Sequence, residues 1–553
     1  MLTAISLLTT TSSLTAPSLL KPLKTRLSRT ALVLALACVP VSHTLAQDAR
    51  IKIDIDRTIG DVSPLIYGNF LEHLGRAVYG GVYEPGSPLA DADGHRTDVI
   101  QAAKDLNVTL LRYPGGNFVS NYHWQDGVGP VEDRPTRMEL AWSRLEDNRF
   151  GTNEFMEFTR KIGAEPYFAV NMGSGTFEEA QQWVEYTNIA DGPYFAELRK
   201  QHGYEEPWNI KYWSLGNEMD GGWQIGHLNK EDYVKKAIET AKVMRLTDPS
   251  IKLIAAGSSD YRPGSDPMGW NGYVLNEMRN DIDYIAIHMY VGNPADDYYN
   301  FMTTPNIMDE RTQQLRGLIN IAMSNANRGD RDPIYVAWDE YNVWYRARGG
   351  ADVVGVRALE EQYNLEDVLV ISGFLNTFIR NADIVKIANM AQLVNVIAPI
   401  FTSEEGMFHQ TIFYPLQLFA QNAHGTALDV FVDSDTFDTA EFSAGMAETS
   451  TRQTGVPYLD VSATYEEDGK VIINVVNRHK DAAISTDILA QTGEFSGAIE
   501  VYEVNGPDVK TSNGFSGEPV RTVRKDDIRA RGDSFRYSFP AHSFTQLIGR
   551  ITP

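Results

Sequence analysis

The chain has 553 residues and a formal net charge of −24, with 43% hydrophobic and 22% charged residues, as in a globular protein with a sizeable core. So acidic a chain repels nucleic acid and anionic membrane surfaces and suits a neutral ligand. Its one cysteine, Cys38, rules out a disulfide framework and a cysteine-held metal.

Residues 1–47 read as an export leader. Lys21, Lys24, Arg26 and Arg29 form a basic region, residues 30–38 an apolar core, and Thr44-Leu45-Ala46 a small-residue site for cleavage near Ala46 or Gln47. The apolar stretch is too short to span a bilayer. Removing it leaves 45 basic against 73 acidic residues, a charge of −28. This predicts a periplasmic or secreted protein with no membrane attachment, a body without cysteine and no thiol nucleophile. Residues 51–55 then alternate polar and apolar, as a half-buried strand does, and residues 48–60 are predicted to join a sheet formed later in the chain.

From residue 61 the texture changes. Eight short apolar runs follow, at 65–70, 108–113, 166–171, 212–215, 251–256, 284–288, around Tyr335, and at 384–389. Helical patterns separate most of them. Thr176 with Glu179 is a capping box, Asn229 with Asp232 opens a second helix, and residues 311–326 and 359–380 are amphipathic. Buried strands alternating with helices predict an α/β fold, a TIM (β/α)8 barrel over residues 61–425. A doubly wound open sheet is disfavoured because no Gly-x-Gly-x-x-Gly follows any strand. Residues 426–553 carry alternating strands and the turn pair Asp468-Gly469. They predict a C-terminal β-sandwich, jelly-roll-like, with residues 51–55 supplying one strand.

In such a barrel the site lies at the C-terminal ends of the strands. Those ends carry Glu72, Arg112, Asn117, Asn217, Glu218, His288, Tyr290, Glu340 and Gln392. Two segments share one design: Tyr212-Trp213-Ser214-Leu215-Gly216-Asn217-Glu218 and Ile334-Tyr335-Val336-Ala337-Trp338-Asp339-Glu340 each bring an apolar run to a glutamate. Two facing carboxyls can cleave a glycosidic bond. Glu218 is assigned as acid/base, with a pKa raised by burial and a nearby carboxylate, and Asn217 as a partner for a sugar hydroxyl. Glu340 is assigned as nucleophile, held ionised by Arg112 and oriented by His288 and Tyr290. Taken singly, each glutamate reads as a helix N-terminal residue stabilised by the dipole; the repeat of the design, four and seven strands along, favours chemistry. Trp124, Trp142 and Trp344 read equally as sugar platforms or core. His73 and His123 are the remaining candidate metal ligands, but no His-x-His or His-Glu-x-x-His occurs, so neither metal nor cofactor is predicted. A non-catalytic carbohydrate-binding protein is the reading from another class; two intact glutamates argue against it.

The strand-end motifs resemble glycoside hydrolase family 51, the α-L-arabinofuranosidases. The resemblance runs through Gly68-Asn69-Phe70-Leu71-Glu72-His73-Leu74-Gly75, Arg112-Tyr113-Pro114-Gly115-Gly116-Asn117-Phe118 and Asn148-Arg149-Phe150-Gly151-Thr152-Asn153-Glu154-Phe155. It continues through Leu215-Gly216-Asn217-Glu218-Met219-Asp220-Gly221, Trp338-Asp339-Glu340-Tyr341-Asn342, Ala391-Gln392-Leu393-Val394-Asn395 and Gln410-Thr411-Ile412-Phe413-Tyr414-Pro415, and covers the chain after about residue 50. It implies a retaining, metal-independent barrel with a β-sandwich, with Glu218 as acid/base and Glu340 as nucleophile. It also implies furanose contacts from Glu72, Asn117, Asn217, Tyr290 and Gln392. The implied reaction is exo-removal of terminal arabinofuranosyl groups from arabinoxylan or arabinan fragments, often by a hexamer. A retaining β-xylosidase or endoglucanase on the same barrel is the alternative within enzymes.

Overall fold

The computed structural model describes residues 47–347, 359–445, 448–450, 452–530 and 532–552. The leader reading therefore falls, from residue 1 to 46, outside the described residues. Eight parallel strands close into a barrel. In chain order they are β1 (Gly68–Phe70), β2 (Leu110–Tyr113), β3 (Glu165–Ala169), β4 (Tyr212–Leu215), β5 (Lys252–Ala256), β6 (Tyr284–Val291), β7 (Tyr335–Val343) and β8 (Val385–Ala391), with β8 pairing back onto β1. Strands covered by helices outside and side chains inside are buried on both faces, which is why the sequence gives them continuous apolar runs. The lumen is filled below the mouth by Leu110, Tyr167, Tyr212, Ile254, Tyr284, Ala286, Ala337 and Ile387, drawn from seven of the eight strands. This plug sets a floor, and polar residues further along the same strands stand above it.

Local sequence explains where the elements begin. Thr176 caps the helix Phe177–Asn188 by accepting from the Glu179 N–H, and Asn229 caps Lys230–Thr247 through the Asp232 N–H. Three boundaries differ from the sequence reading. The run at 65–70 is mostly a 3-10 turn, Pro64–Tyr67, because Pro64 fixes its first φ and Ser63 caps it; only its last three residues pair as β1. The helix expected at 311–326 is Thr304–Met323, started by Pro305 in its first turn. The one expected from 359 begins at Leu365, where Asn364 and Asp367 form a reciprocal capping box.

The C-terminal part is mostly sheet. One sheet has the order Phe431–Asp433, Gln47–Ile53, Ile484–Ala490, Ser534–Phe539. The N-terminal strand thus lies between two strands from the far end of the chain, parallel to one and antiparallel to the other. A second sheet includes Leu459–Tyr465, Lys470–Asn477, Ser543–Thr552 and Ala498–Asn505. Ile51, Ile53 and Ile488 of the first sheet share a core with Val461, Val475, Val501 and Leu547 of the second. The helix Leu365–Arg380 joins barrel to sandwich. It is buried from Leu365 through Ile379, which accounts for a helix apolar on nearly every side, and it packs on Leu459–Tyr465. Two of its polar residues meet Asp460: Asn376 Nδ2 donates to Asp460 Oδ1 at 2.7 Å and Arg380 Nη1 to the same oxygen at 3.0 Å. Among the described residues no helix is long and apolar enough to cross a membrane.

Candidate active site

Glu218 stands three residues past the end of β4, at φ +46°, after Gly216 at φ +89°. A Cβ on Gly216 would lie 2.8 Å from the Met172 Cβ, so the turn that lifts Asn217 and Glu218 over the barrel rim requires glycine there. Glu340 is not past its strand but inside β7, and His288 and Tyr290 are likewise inside β6, because these two strands run further towards the mouth than apolar content alone marks. Strict alternation would send Asp339 and Glu340 to opposite faces. The register of β7 against β8 shifts between Trp338 and Tyr341, and both acidic side chains reach the same polar network.

That network is buried apart from Glu218, which is partly exposed to the cavity, and two cations organise it. Arg112, on β2, donates from Nη1 to Glu340 Oε1 and from Nη2 to Asn217 Oδ1, each at 2.6 Å, and its Nε lies 3.4 Å from Asp339 Oδ2. His288 places Nδ1 2.9 Å from Glu218 Oε1 and 3.6 Å from Glu340 Oε2, with Nε2 3.0 Å from Asp339 Oδ1. Tyr290 donates its hydroxyl to Glu340 Oε2 at 2.7 Å, and Tyr167 donates to Asp339 Oδ2 at 2.9 Å. One oxygen of Glu218, a ring nitrogen of His288 and one oxygen of Glu340 lie within 4.8 Å of one another. Burial raises the Glu218 pKa, the His288 hydrogen bond opposes this and the Glu340 charge adds to it. For His288, burial works against the charged ring, but Glu340, Asp339 and the hydrogen bonds to Asp339 and Glu218 together push it well above the ordinary histidine range. Burial likewise works against the Asp339 carboxylate, yet Arg112 and His288 hold it below the usual value.

Glu72 forms the opposite wall. Its Oε1 accepts from the Phe118 N–H and the Trp142 Nε1, both at 3.0 Å, and its Oε2 from Gln392 Nε2 at 3.2 Å, while its own N–H donates to Gln392 Oε1 at 2.9 Å. A Cβ on Gly115 would lie 2.6 Å from the Glu72 Cγ, so glycine is needed for this approach. The walls enclose a cavity of about 250 Å³ that Glu72, Asn117, Asn217, Glu218, Tyr290, Glu340 and Gln392 all line. Trp142, Trp223 and Trp344 supply its aromatic walls. Arg112 and His288 sit behind the carboxyls they touch.

Trp124 does not belong to this cavity. It is buried beside the helix Phe177–Asn188, parallel to Trp183 at 6.2 Å, with its Nε1 bonded to the Glu179 carbonyl. Sequence gives an apolar platform and an apolar core residue the same letter. His73 is held by Glu146 and the Tyr113 hydroxyl, and His123 by Glu179. Asp91, Asp93 and His95 converge as cation ligands do, but the Lys161 ammonium sits among them, at 2.7, 2.7 and 3.0 Å. The sequence reading assigned no role to Asp339 or Trp223. Adjacency to Glu340 was the one signal for Asp339; for Trp223, which donates its Nε1 to Glu218, it was a tryptophan five residues beyond that glutamate.

The domain described as "Alpha-L-arabinofuranosidase 1 domain" matches residues 102–310, and "Alpha-L-arabinofuranosidase C-terminal domain" matches residues 339–543. The chain is 42% identical to an intracellular exo-α-(1→5)-L-arabinofuranosidase of Halalkalibacterium halodurans, over 84% of this chain and 92% of that one. It is 40% identical to intracellular exo-α-(1→5)-L-arabinofuranosidase 1 of Bacillus subtilis, over 84% and 91%. A solved structure, the thermostable GH51 α-L-arabinofuranosidase of Thermotoga petrophila, superposes with a TM-score of 0.81 at 38% identity, over 90% of this chain and 99% of that one. The two relatives named intracellular overturn the expectation of an exported protein. A basic stretch followed by an apolar one is a compositional pattern, and the pattern alone misdirected that reading.

Proposed function

From the membership of this chain in the α-L-arabinofuranosidases of glycoside hydrolase family 51, we propose how its site performs the reaction. The chain is an exo-acting α-L-arabinofuranosidase. The reading proposed for its chemistry is double displacement with retention. Glu340 attacks the anomeric carbon, while Glu218 protonates the departing glycosidic oxygen. Water, deprotonated by Glu218, then opens the glycosyl ester and restores Glu340. One observation carries this: carboxyl oxygens of Glu218 and Glu340 stand within 4.8 Å, where retaining enzymes hold their carboxyls about 5–5.5 Å apart and inverting ones leave room for a water between. Arg112 and Tyr290 each donate a hydrogen bond to Glu340, and Glu72, Asn117, Asn217 and Gln392 are the proposed furanose contacts. The α-(1→5) linkage for which the two relatives are named favours α-(1→5)-linked arabinan oligosaccharides over arabinoxylan as substrate. We further propose a division into a catalytic barrel, 61–425, and a sandwich, 426–553, that takes in 48–60, with the whole acting as a homo-oligomer, a hexamer by family resemblance.

The test is a pair of variants. Glu340→Ala is expected to bind substrate but not turn it over. Glu218→Ala should lose about 10²–10⁴-fold in kcat/KM on arabino-oligosaccharides, where the leaving oxygen needs a proton, and far less on an aryl arabinofuranoside with an acidic phenol. NMR of the first-formed sugar should show the anomer of the substrate; the opposite anomer would sink the double displacement.

A further inference from the structure

The double displacement proposed above moves charge as well as a sugar. In the first half, Glu340 begins as a carboxylate and ends as a neutral ester, while Glu218 begins neutral and ends as a carboxylate. The C1–O bond breaks, its electron pair goes to the leaving oxygen, that oxygen takes the Glu218 proton, and the Glu340 oxygen bonds to C1. One negative charge has crossed from residue 340 to residue 218. In the second half water bonds to C1, its proton goes to Glu218, the ester bond breaks and the charge returns to Glu340.

We propose that His288 is a positioning residue that serves both halves as a fixed cation between the two carboxyls, so that the travelling charge always has the same imidazolium beside it. The inference rests on the double-displacement reading. Its support is the position of one atom. Nδ1 of His288 lies 2.9 Å from Glu218 Oε1 and 3.6 Å from Glu340 Oε2, whereas Arg112, the other cation, contacts Glu340 but not Glu218. The ring cannot turn away, because Nε2 is bonded to Asp339 at 3.0 Å, and Asp339 is itself held by Tyr167 and Arg112. Glu340, Asp339 and Glu218 are the titratable groups that act on the ring; Arg112 and Tyr167 reach it through Asp339, and Tyr290, on the same strand, through Glu340. His288 is buried and not part of the cavity lining, so it acts through the glutamates rather than on the sugar. A buried cation shared by two sites needs no reorganisation as charge moves between them, which is where electrostatic stabilisation is most effective.

The experiment is His288→Gln, a neutral side chain that still hydrogen-bonds, assayed on aryl arabinofuranosides with phenols of differing acidity. Removing a positive neighbour favours the protonated form of a carboxyl. Both limbs of the kcat/KM–pH profile should therefore move to higher pH, which a merely structural role would not produce. Glycosylation, read from kcat/KM, and deglycosylation, read from kcat on the most reactive phenol, should each fall about 100-fold. Unmoved limbs, or a loss in one half-reaction only, would overturn the proposal. Should the variant not fold, ¹⁵N NMR of the wild-type histidines decides: the ring is expected doubly protonated from pH 5 to 8 in the free enzyme and in a trapped glycosyl-enzyme, and a neutral ring in either defeats the idea. Turnover by Glu340→Ala would instead remove the reading beneath it, and the two failures are told apart by that variant.

Discussion

At the scale of single residues, Glu72 shows how a hydrogen-bond network and burial pull against each other. Burial pushes its carboxyl up to about 8, the Phe118 N–H draws it down, the Glu340 charge adds to the rise and Trp142 opposes it. Between pH 5 and 8 the folded chain therefore holds a proton here that the unfolded chain has released. The stability this contributes is complete below the ordinary carboxyl range and is lost as pH rises through about 8. Glu72→Gln carries no such proton. Its stability relative to the parent should improve from pH 5 to pH 8, by at most about 1.4 kcal/mol per pH unit. Urea unfolding at the two pH values measures this, and an equal difference at both would show that residue 72 is already ionised.

At the scale of elements, one helix lies between the barrel and the sandwich, and two polar side chains near its C-terminal end, Asn376 and Arg380, meet on one carboxylate. Asp460 accepts from Asn376 and Arg380 and lies 3.6 Å from the Arg478 guanidinium. Burial works against its charge, but Arg380 and Arg478 hold its pKa below the usual range. Asp460→Ala leaves buried guanidinium charge without its counter-ion, which costs about 3–5 kcal/mol in such settings. Because Leu365–Arg380 also packs on β7, the loss is expected as a lower urea midpoint for the whole chain rather than for the sandwich alone. Two separate transitions would show that the helix does not couple them.

At the scale of the whole molecule, the first described strand completes a sheet assembled from the last quarter of the chain. Gln47–Ile53 pairs on both sides, and Ile51 and Ile53 are fully buried. Each such side chain contributes about 1.5–3 kcal/mol. A chain begun at residue 55 should melt at lower temperature and aggregate more readily, since it bares two unpaired strand edges and an apolar face. Activity per folded molecule should be unchanged, because every residue of the cavity lies in the barrel part. Thermal melts and active-site titration together read both quantities; an unaltered melting temperature would refute the structural role of this strand.

The sequence by itself determined what depends on local order. Apolar runs named all eight barrel strands, caps at Thr176 and Asn229 set two helix starts, and the repeated strand-end design singled out Glu218 and Glu340, because period and turn chemistry are written in neighbouring residues. Only the tertiary structure decided what depends on direction and distance. The register shift in β7 turns Asp339 towards His288. Closure of the barrel brings Nδ1 of residue 288 within reach of two glutamates more than a hundred positions apart, and packing sends Trp124 into the core while Trp142 and Trp223 wall the cavity. A side chain's letter records its chemistry; which groups it faces is fixed only when distant segments close on one another.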